Sequence, residues 1–124
     1  NYGFDTYSTT IEAMESTIIN RKEEIKCFID ASKIGWKNYL HGDSSKTNEL
    51  IKKENPDMTD AKIKYSMNKL KEYGIIETSD TEKYGIGYFS SEKIQKFYKQ
   101  MLKYDVVKEL DNINDIYTEE FIHK

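Results

Sequence analysis

The sequence predicts a mainly α-helical fold, with about five helices that follow a short β segment at the N-terminus. Two observations support the helical prediction, and a third concerns the number of domains. Large apolar residues recur at helical spacing along several stretches, and residues that cap helices stand where these stretches begin. The length of 124 residues also suggests a single domain with enough chain to bury a core.

The N-terminal segment differs in composition from the rest. Tyr2–Thr10 is rich in Tyr, Phe and Thr and poor in helix formers, which favours a short strand or an extended segment. Glu12–Ile19 fits either a helical turn or the end of a strand.

The longest predicted helix runs from Asn20 to Gly42. Asn20 is the expected N-cap with Glu23 at the capping-box position, and Gly42 is expected to close the helix in the left-handed conformation. Apolar side chains at a spacing of about 3.6 residues predict one buried face of this helix. They are Ile25, Phe28, Ile29, Trp36, Tyr39 and Leu40.

Two further features of this helix concern its packing. Ala31 and Gly35 are small and four residues apart, so a neighbouring element can approach the backbone closely there. Cys27 is the single cysteine, which excludes an intramolecular disulfide and a cysteine zinc cluster. We expect Cys27 to be a small structural residue.

A second helix is expected from about Ser45 to Glu54, and its C-terminal end is set by Pro56, which prevents continuation of the helix. Leu50 and Ile51 are expected to be its buried residues. Thr59 is the expected N-cap of a third helix that stops at Gly74. The apolar stripe of this third helix comprises Ile63, Met67 and Leu70.

The C-terminal third is expected to contain a polar loop at Glu77–Lys83, a turn at Gly85–Gly87 and two more helices. Ser90 or Ser91 caps the fourth helix, and Thr118 caps a short fifth helix that ends at Ile122. The stripe of the fourth helix comprises Ile94, Phe97, Tyr98, Met101 and Leu102, extended by Val106 and Val107.

Composition argues against several classes of function. The formal net charge of −3 gives no general attraction to nucleic acid or anionic lipid, and no apolar run approaches the length of a membrane span. The two histidines, His41 and His123, have no nucleophile paired with them by a recognisable motif. No metal-binding motif is present. We therefore expect a protein that is not an enzyme and that needs no cofactor or metal.

The Gly85–Gly87 turn has two interpretations. It lacks the third glycine and the lysine of a phosphate-binding loop, so it is either a tight turn into the fourth helix or a ligand-facing loop. Tyrosines outside the helix stripes are the aromatic residues that a ligand could use. They are Tyr2, Tyr7, Tyr84 and Tyr88.

An alternative interpretation is a winged-helix nucleic-acid-binding module. The third helix would enter the major groove, and Ile75–Phe89 would form the wing. The acidic residues of this segment outnumber Lys83, its one basic residue, which is the reverse of what phosphate binding requires. The lysines of the recognition helix would be Lys62, Lys64, Lys69 and Lys71.

Several runs, in order along the chain, resemble a known family. Ile34–Leu40, Ile51–Thr59, Leu70–Ile75 and Gly85–Gly87 carry the resemblance, together with Tyr117-Thr118 before Phe121. The long helix has the form E-x-I-x-x-F-x-x-A-x-x-x-G-W, here Glu24, Ile25, Phe28, Ala31, Gly35 and Trp36. The chain resembles the C-terminal part of ABC-transporter substrate-binding proteins of the NMT1/THI5-like group, associated with uptake of thiamine pyrimidine precursors.

The resemblance implies an α/β type II periplasmic-binding fold with two lobes, of which residues 1–124 would be a single C-terminal fragment. It also implies a periplasmic or other extracytoplasmic location, as a lipoprotein or secreted protein. The implied partners are a small heterocyclic ligand, an ABC permease and the N-terminal portion of the same protein, with no nucleic acid. Because the same broad family includes enzymes of pyrimidine biosynthesis, such an enzyme is a third alternative.

The resemblance also directs attention to two stretches for ligand contact. Asp5–Thr9 matches the segment near the crossover between lobes, and the turn at Tyr84–Tyr88 is the second choice. If the missing lobe normally covers the Trp36 stripe, the isolated chain would expose that stripe and tend to dimerise or swap elements. The candidate ligand-binding residues are Asp5, Tyr7, Ser8, Tyr84 and Tyr88.

Overall fold

The computed structural model describes residues 6–122, which form six α-helices and one 3-10 helix and contain no β-strand. The prediction of a mainly helical chain is confirmed. Residues 6–10 do not form the expected β segment, and its remaining residues lie outside the described range. The helices are α1 (Glu15–Asn20), α2 (Lys22–His41), α3 (Ser45–Glu54), α4 (Asp60–Glu72), α5 (Ser79–Tyr84) and α6 (Ser91–Lys103), and the 3-10 helix is Ile113–Ile116.

The start of the long helix differs from the prediction. Asn20 is the last residue of α1, and its side-chain amide donates a hydrogen bond to the Ser16 carbonyl at 2.8 Å. Arg21 interrupts the helical geometry with φ −132° and pairs with Glu24 in the first turn of α2. The prediction that Asn20 caps α2 with Glu23 is therefore wrong, because Asn20 already belongs to a preceding helix.

Gly42 ends α2 in an extended conformation, with φ −101° and ψ −159°. The expected left-handed closure is therefore wrong. A Cβ atom at this position would lie 2.8 Å from the Asn38 carbonyl oxygen, so the close approach of the backbone requires glycine here. Next to it, His41 Nε2 lies 2.8 Å from Glu77 Oε1, which joins the end of α2 to the segment before α5.

Helices α3 and α4 begin and end close to their predicted positions. Thr59 caps α4 as expected, since its hydroxyl accepts a hydrogen bond from the Lys62 amide at 3.3 Å. Ile63 is buried on α4. On α3, Ile51 is half-buried but Leu50 is 56 % exposed, so the prediction that Leu50 is buried is wrong.

Helices α4 and α6 end in the same way. The residue after the C-cap is left-handed in both, Gly74 at φ 57° and Asp105 at φ 54°. The next amide donates back into the helix, from Ile75 to the Leu70 carbonyl and from Val106 to the Met101 carbonyl, each at 3.0 Å. This is the Schellman arrangement. One of the two left-handed positions is therefore occupied by a residue other than glycine.

The predicted polar loop at Glu77–Lys83 is wrong, because α5 occupies most of it. Thr78 and Thr81 form a reciprocal capping box that starts this helix. The Thr78 amide donates to the Thr81 hydroxyl at 2.7 Å, and the Thr81 amide donates to the Thr78 hydroxyl at 3.4 Å. Threonine at both ends of the box satisfies two amides that would otherwise lack a partner.

At the C-terminal end, α6 is confirmed, with Ser90 as its N-cap and a half-buried apolar stripe. The predicted last helix is wrong. The chain forms the 3-10 helix and then a single turn, in which Ile122 donates to the Glu119 carbonyl at 3.0 Å. Thr118 accepts from the Glu120 amide at 3.2 Å and so stabilises a turn instead of a helix.

The core is small for a chain of this size. Leu40 and Ile63, at 4 % and 3 % exposure, are the buried hydrophobic residues of the described range. On α2, Phe28 is 61 % and Trp36 is 37 % exposed, so these two members of the predicted stripe are not buried. Cys27 is exposed as well, contrary to the structural role expected for it.

The accessible surface area of the chain is also large for its mass. The chain of 14.6 kDa exposes 9895 Å². A compact monomer of that mass exposes roughly 6,900 Å², so this chain exposes roughly 40 % more. Within the described part, every helix is too short or too polar to cross a lipid bilayer.

Candidate ligand-binding site

The structure brings Tyr7 to the turn that precedes α6. The ring centroids of Tyr7 and Phe89 are 6.4 Å apart with their planes at 70°, an edge-to-face contact. The Tyr7 hydroxyl accepts a hydrogen bond at 2.7 Å from the amide of Ser90, which lies 83 residues away in sequence. The N-terminal segment is therefore fixed against the first residue before α6.

Two tyrosines stack across the glycine turn. The rings of Tyr84 and Tyr88 are 4.3 Å apart with their planes at 27°. Gly85 and Gly87 have φ values of 90° and 89°, which favour glycine, and the Tyr88 amide donates to the Gly85 carbonyl at 3.2 Å. The interpretation of this segment as a turn into α6 is confirmed, and its role as a ligand-facing loop stays a prediction.

A fifth aromatic residue completes the group. Tyr117 contacts Phe89 edge-to-face, with ring centroids 6.2 Å apart. The Tyr117 hydroxyl donates to Asn114 Oδ1 at 2.8 Å and accepts from Gln95 Nε2 at 3.2 Å. We call Tyr7, Tyr84, Tyr88, Phe89 and Tyr117 the aromatic cluster; it consists of the stacked pair Tyr84–Tyr88 and, directly after it in the chain, Phe89 with its two ring contacts.

Lysines lie over two rings of the cluster. The ammonium of Lys83 is 4.7 Å from the centroid of the Tyr84 ring, and that of Lys93 is 4.7 Å from the centroid of the Tyr7 ring. Both distances are within the range of cation–π attraction. A hydrogen bond to Tyr84 raises the pKa of Lys83, so this ammonium stays charged at neutral pH.

The Tyr88 hydroxyl is held in its neutral form. Partial burial raises its pKa, and the neighbouring Tyr84, Asp80 and Glu119 raise it further because a phenolate beside them would be repelled. At neutral pH this hydroxyl therefore keeps its proton and can donate or accept a hydrogen bond.

Three of the five predicted site residues lie in or beside the turn before α6: Tyr84 and Tyr88 stack on each other, and Tyr7 contacts Phe89 and Ser90, which follow Tyr88. Ser8 is exposed beside Tyr7 in the sequence. Asp5 lies outside the described residues, as do Tyr2 and His123. Sequence reasoning missed Tyr117, although its place in a Tyr-Thr pair away from any helix stripe was an available signal.

The cluster is half-buried, with Tyr84 as its most exposed member at 38 %. Two shallow depressions of the protein surface lie elsewhere, one lined by Leu102 and residues 105–109 and the other by the polar side of α6. Neither is lined by a residue of the cluster.

The residues considered for catalysis, metal binding or nucleic-acid binding lie outside the aromatic cluster. His41 pairs with Glu77, and the described residues contain no group of three or more His, Cys, Asp and Glu side chains suited to a metal ion. The Lys62 ammonium donates to the Asp57 carbonyl at 2.8 Å, and Lys69 pairs with Glu72 at 2.6 Å. The segment at 75–89 contains α5 where a winged helix would have a β-hairpin.

Comparison of this chain with protein-family models, with curated proteins and with solved structures finds no match. The resemblance to solute-binding proteins, and the function that it implies, therefore stay predictions.

Proposed function

We propose that this chain is the C-terminal part of an extracytoplasmic solute-binding protein that serves an ABC importer. The ligand is a small heterocycle, such as a thiamine pyrimidine precursor or a related compound. The protein captures it and delivers it to the permease in the membrane, without chemical change to the ligand. The complete protein has the two-lobed α/β type II periplasmic-binding fold.

The observation that carries this proposal is that Tyr7 contacts Phe89 and Ser90, the two residues that follow the Tyr84–Tyr88 turn. The N-terminal segment and the turn were expected from the sequence, separately, to contact a ligand, and their proximity supports a shared role. Small-molecule sites combine apolar, aromatic walls with a few placed polar groups. The cluster supplies both, since its members combine aromatic rings with the tyrosine hydroxyl groups.

The openness of the chain supports the two-lobed architecture. Its roughly 3,000 Å² of surface beyond that of a compact monomer is apolar in several places. Met14, Ile19 and Val106 are 78 %, 60 % and 57 % exposed. A second lobe that packed on this chain would cover such exposed apolar side chains.

In the proposed mechanism the ligand ring stacks on the exposed side of the tyrosine pair, and the second lobe closes over it by a hinge movement. Closure removes water from the ring faces and strengthens the hydrogen bonds to the ligand's nitrogen and oxygen atoms. Because the second lobe contributes to this site, the chain by itself should bind weakly or not at all.

The proposal is tested by isothermal titration calorimetry on the full-length protein with a panel of aminopyrimidines and related heterocycles. Replacing Tyr84 or Tyr88 by Ala should weaken binding about 3- to 10-fold, the value of one lost aromatic stacking contact. Tyr65→Ala is the matched control, because Tyr65 is 64 % exposed on α4 and outside the cluster.

Three results would count against the proposal. They are failure of every heterocycle to bind, equal losses in the cluster and control variants, and salt-sensitive binding of duplex DNA by the chain. The last result would favour the winged-helix alternative, whose positive charge would come from α4.

A further inference from the structure

The segment that follows α6 is exposed before it returns to the protein. Every residue from 105 to 112 is exposed, and half-buried residues appear again at Ile113 and at 117–119. The hydrogen bond that closes the end of α6 is donated by the Val106 amide. We call the residues after it, 107–122, the C-terminal strap.

Hydrogen bonds of two tyrosine hydroxyls attach the strap to α6. The Leu110 amide donates to the Tyr98 hydroxyl at 2.6 Å, and Gln95 Nε2 donates to the Tyr117 hydroxyl at 3.2 Å. Within residues 6–122, the backbone-to-backbone hydrogen bonds of the strap join its own residues to each other. The strap is therefore held on the protein by side-chain groups.

Tyr117 brings the strap onto the aromatic cluster. Its ring meets Phe89 edge-to-face, with the ring centroids 6.2 Å apart. Partial burial is the main cause of the raised pKa of Tyr88, and Glu119 on the strap contributes to it, so this carboxylate lies near the Tyr88 hydroxyl. The strap thus supplies a ring of the cluster and a negative charge beside it.

The attachment of the strap is weak compared with the folding of the helices. Lys22 Nζ on α2 lies 2.5 Å from Glu120 Oε1, but the two side chains are 50 % and 43 % exposed, so this ion pair adds little. Each hydrogen bond or ring contact changes an equilibrium by roughly 2- to 13-fold. Segments held by few buried contacts open locally while the rest of a protein stays folded.

We propose that the C-terminal strap opens and closes as a unit while the helices stay folded, and that it covers Phe89 in the closed state. Opening removes Tyr117 from Phe89 and takes Glu119 away from Tyr88, so the surface of the aromatic cluster depends on the state of the strap. A ligand that contacts the cluster in one of the two states shifts this equilibrium. The movement itself needs no ligand and does not depend on the proposed transport function.

Amide hydrogen exchange, followed by NMR at several low urea concentrations, measures this opening. The Leu110 amide is the probe, because its acceptor is a side chain outside the strap. Local opening exposes little surface, so exchange at Leu110 should be faster than in α6 and nearly independent of urea. Exchange in α6 should accelerate with urea, as it does for amides that exchange through global unfolding.

Tyr117→Phe keeps the ring on Phe89 and removes the hydroxyl that accepts from Gln95. Because the strap opens as a unit, exchange at the distant Leu110 should become about 2- to 13-fold faster, while exchange in α6 is unchanged. Tyr73→Phe is the matched control, since Tyr73 is 67 % exposed at the end of α4. It should leave exchange at Leu110 unchanged.

Several results would overturn the proposal. If Leu110 exchanges with the rate and urea dependence of α6, the strap opens only when the chain unfolds. If Leu110 exchanges as fast as an unstructured amide, the strap does not close. An unchanged rate at Leu110 in Tyr117→Phe would show that the segment does not move as a unit. Failure of every heterocycle to bind would leave all of these measurements unaffected, so the two proposals fail separately.

Discussion

The contact between Tyr7 and Ser90 gives a direct test of whether the candidate site is assembled as described. Tyr7→Phe keeps the ring against Phe89 and beneath Lys93, and it removes only the hydroxyl that accepts the Ser90 amide at 2.7 Å. A neutral hydrogen bond of this kind stabilises the folded state by about 0.5–1.5 kcal/mol. Because the site is only partly buried, water can replace the hydroxyl, and we expect a loss of about 1 kcal/mol.

Tyr7→Ala removes the ring as well. It loses the edge-to-face contact with Phe89 and the cation–π contact with Lys93. These contacts are worth about 0.5–1.5 and 0.5–1 kcal/mol respectively. The total loss expected for Tyr7→Ala is therefore about 2–3.5 kcal/mol, and the two variants together separate the hydroxyl from the ring.

The free energy of unfolding is measured by urea denaturation, followed by circular dichroism, at one fixed protein concentration. For a slope near 2 kcal/mol/M, Tyr7→Phe should lower the midpoint by about 0.5 M. Tyr65→Phe removes a hydroxyl from a residue that is 64 % exposed and serves as the control. Equal midpoints for Tyr7→Phe and Tyr65→Phe would show that the N-terminal segment does not dock against α6.

Three further predictions concern the helix ends and the turn. Because residues 74 and 105 are both left-handed, Gly74→Ala should destabilise the chain by about 1–2 kcal/mol and Asp105→Gly should stabilise it by about 0.5–1 kcal/mol. Thermal unfolding measures both changes. Shifts of the same sign would contradict the left-handed conformation at one of the two positions. Thr78→Ala should cost about 1 kcal/mol locally and speed amide hydrogen exchange in α5, whereas unchanged exchange would rule out the capping box. Because the pKa of Tyr88 is raised in the folded state, its contribution to the free energy of unfolding is fully present below the pKa of an unfolded tyrosine. This contribution is lost as the pH rises through the pKa of the folded state. Tyr88→Phe should therefore flatten the alkaline decline in stability measured by urea titrations, and an unchanged decline would show that Tyr88 does not cause it.

The elements that the sequence predicts well are those set by local chemistry. Helix α3 stops before Pro56, Thr59 caps α4 and Ser90 caps α6, and each signal acts within one helical turn. The failures among caps have the same local character. Asn20 lies at the end of the preceding helix α1, Gly42 is extended instead of left-handed, and Thr118 stabilises a turn. Thr78 was not recognised as the partner of Thr81 in a capping box.

Burial was less predictable, because periodicity identifies a face and does not identify what covers it. The α2 stripe has helical spacing, yet Phe28 on it is 61 % exposed while Leu40 is 4 % exposed. The candidate site shows the same limit. Tyr84 and Tyr88 were recognisable from their turn, whereas the place of Tyr117 beside Phe89 depends on how the last residues return to α6.

The separation of Tyr7 from Ser90 also bears on the order of events during synthesis. The helices rest on contacts within a few residues and can form as they leave the ribosome, but Tyr7 must await a partner 83 residues later. At synthesis rates of about 5–20 residues per second, that delay is roughly 4–17 s. During this interval the N-terminal segment stays undocked, so the aromatic cluster is completed late and its closure is the step that chaperones or proteases would have time to intercept.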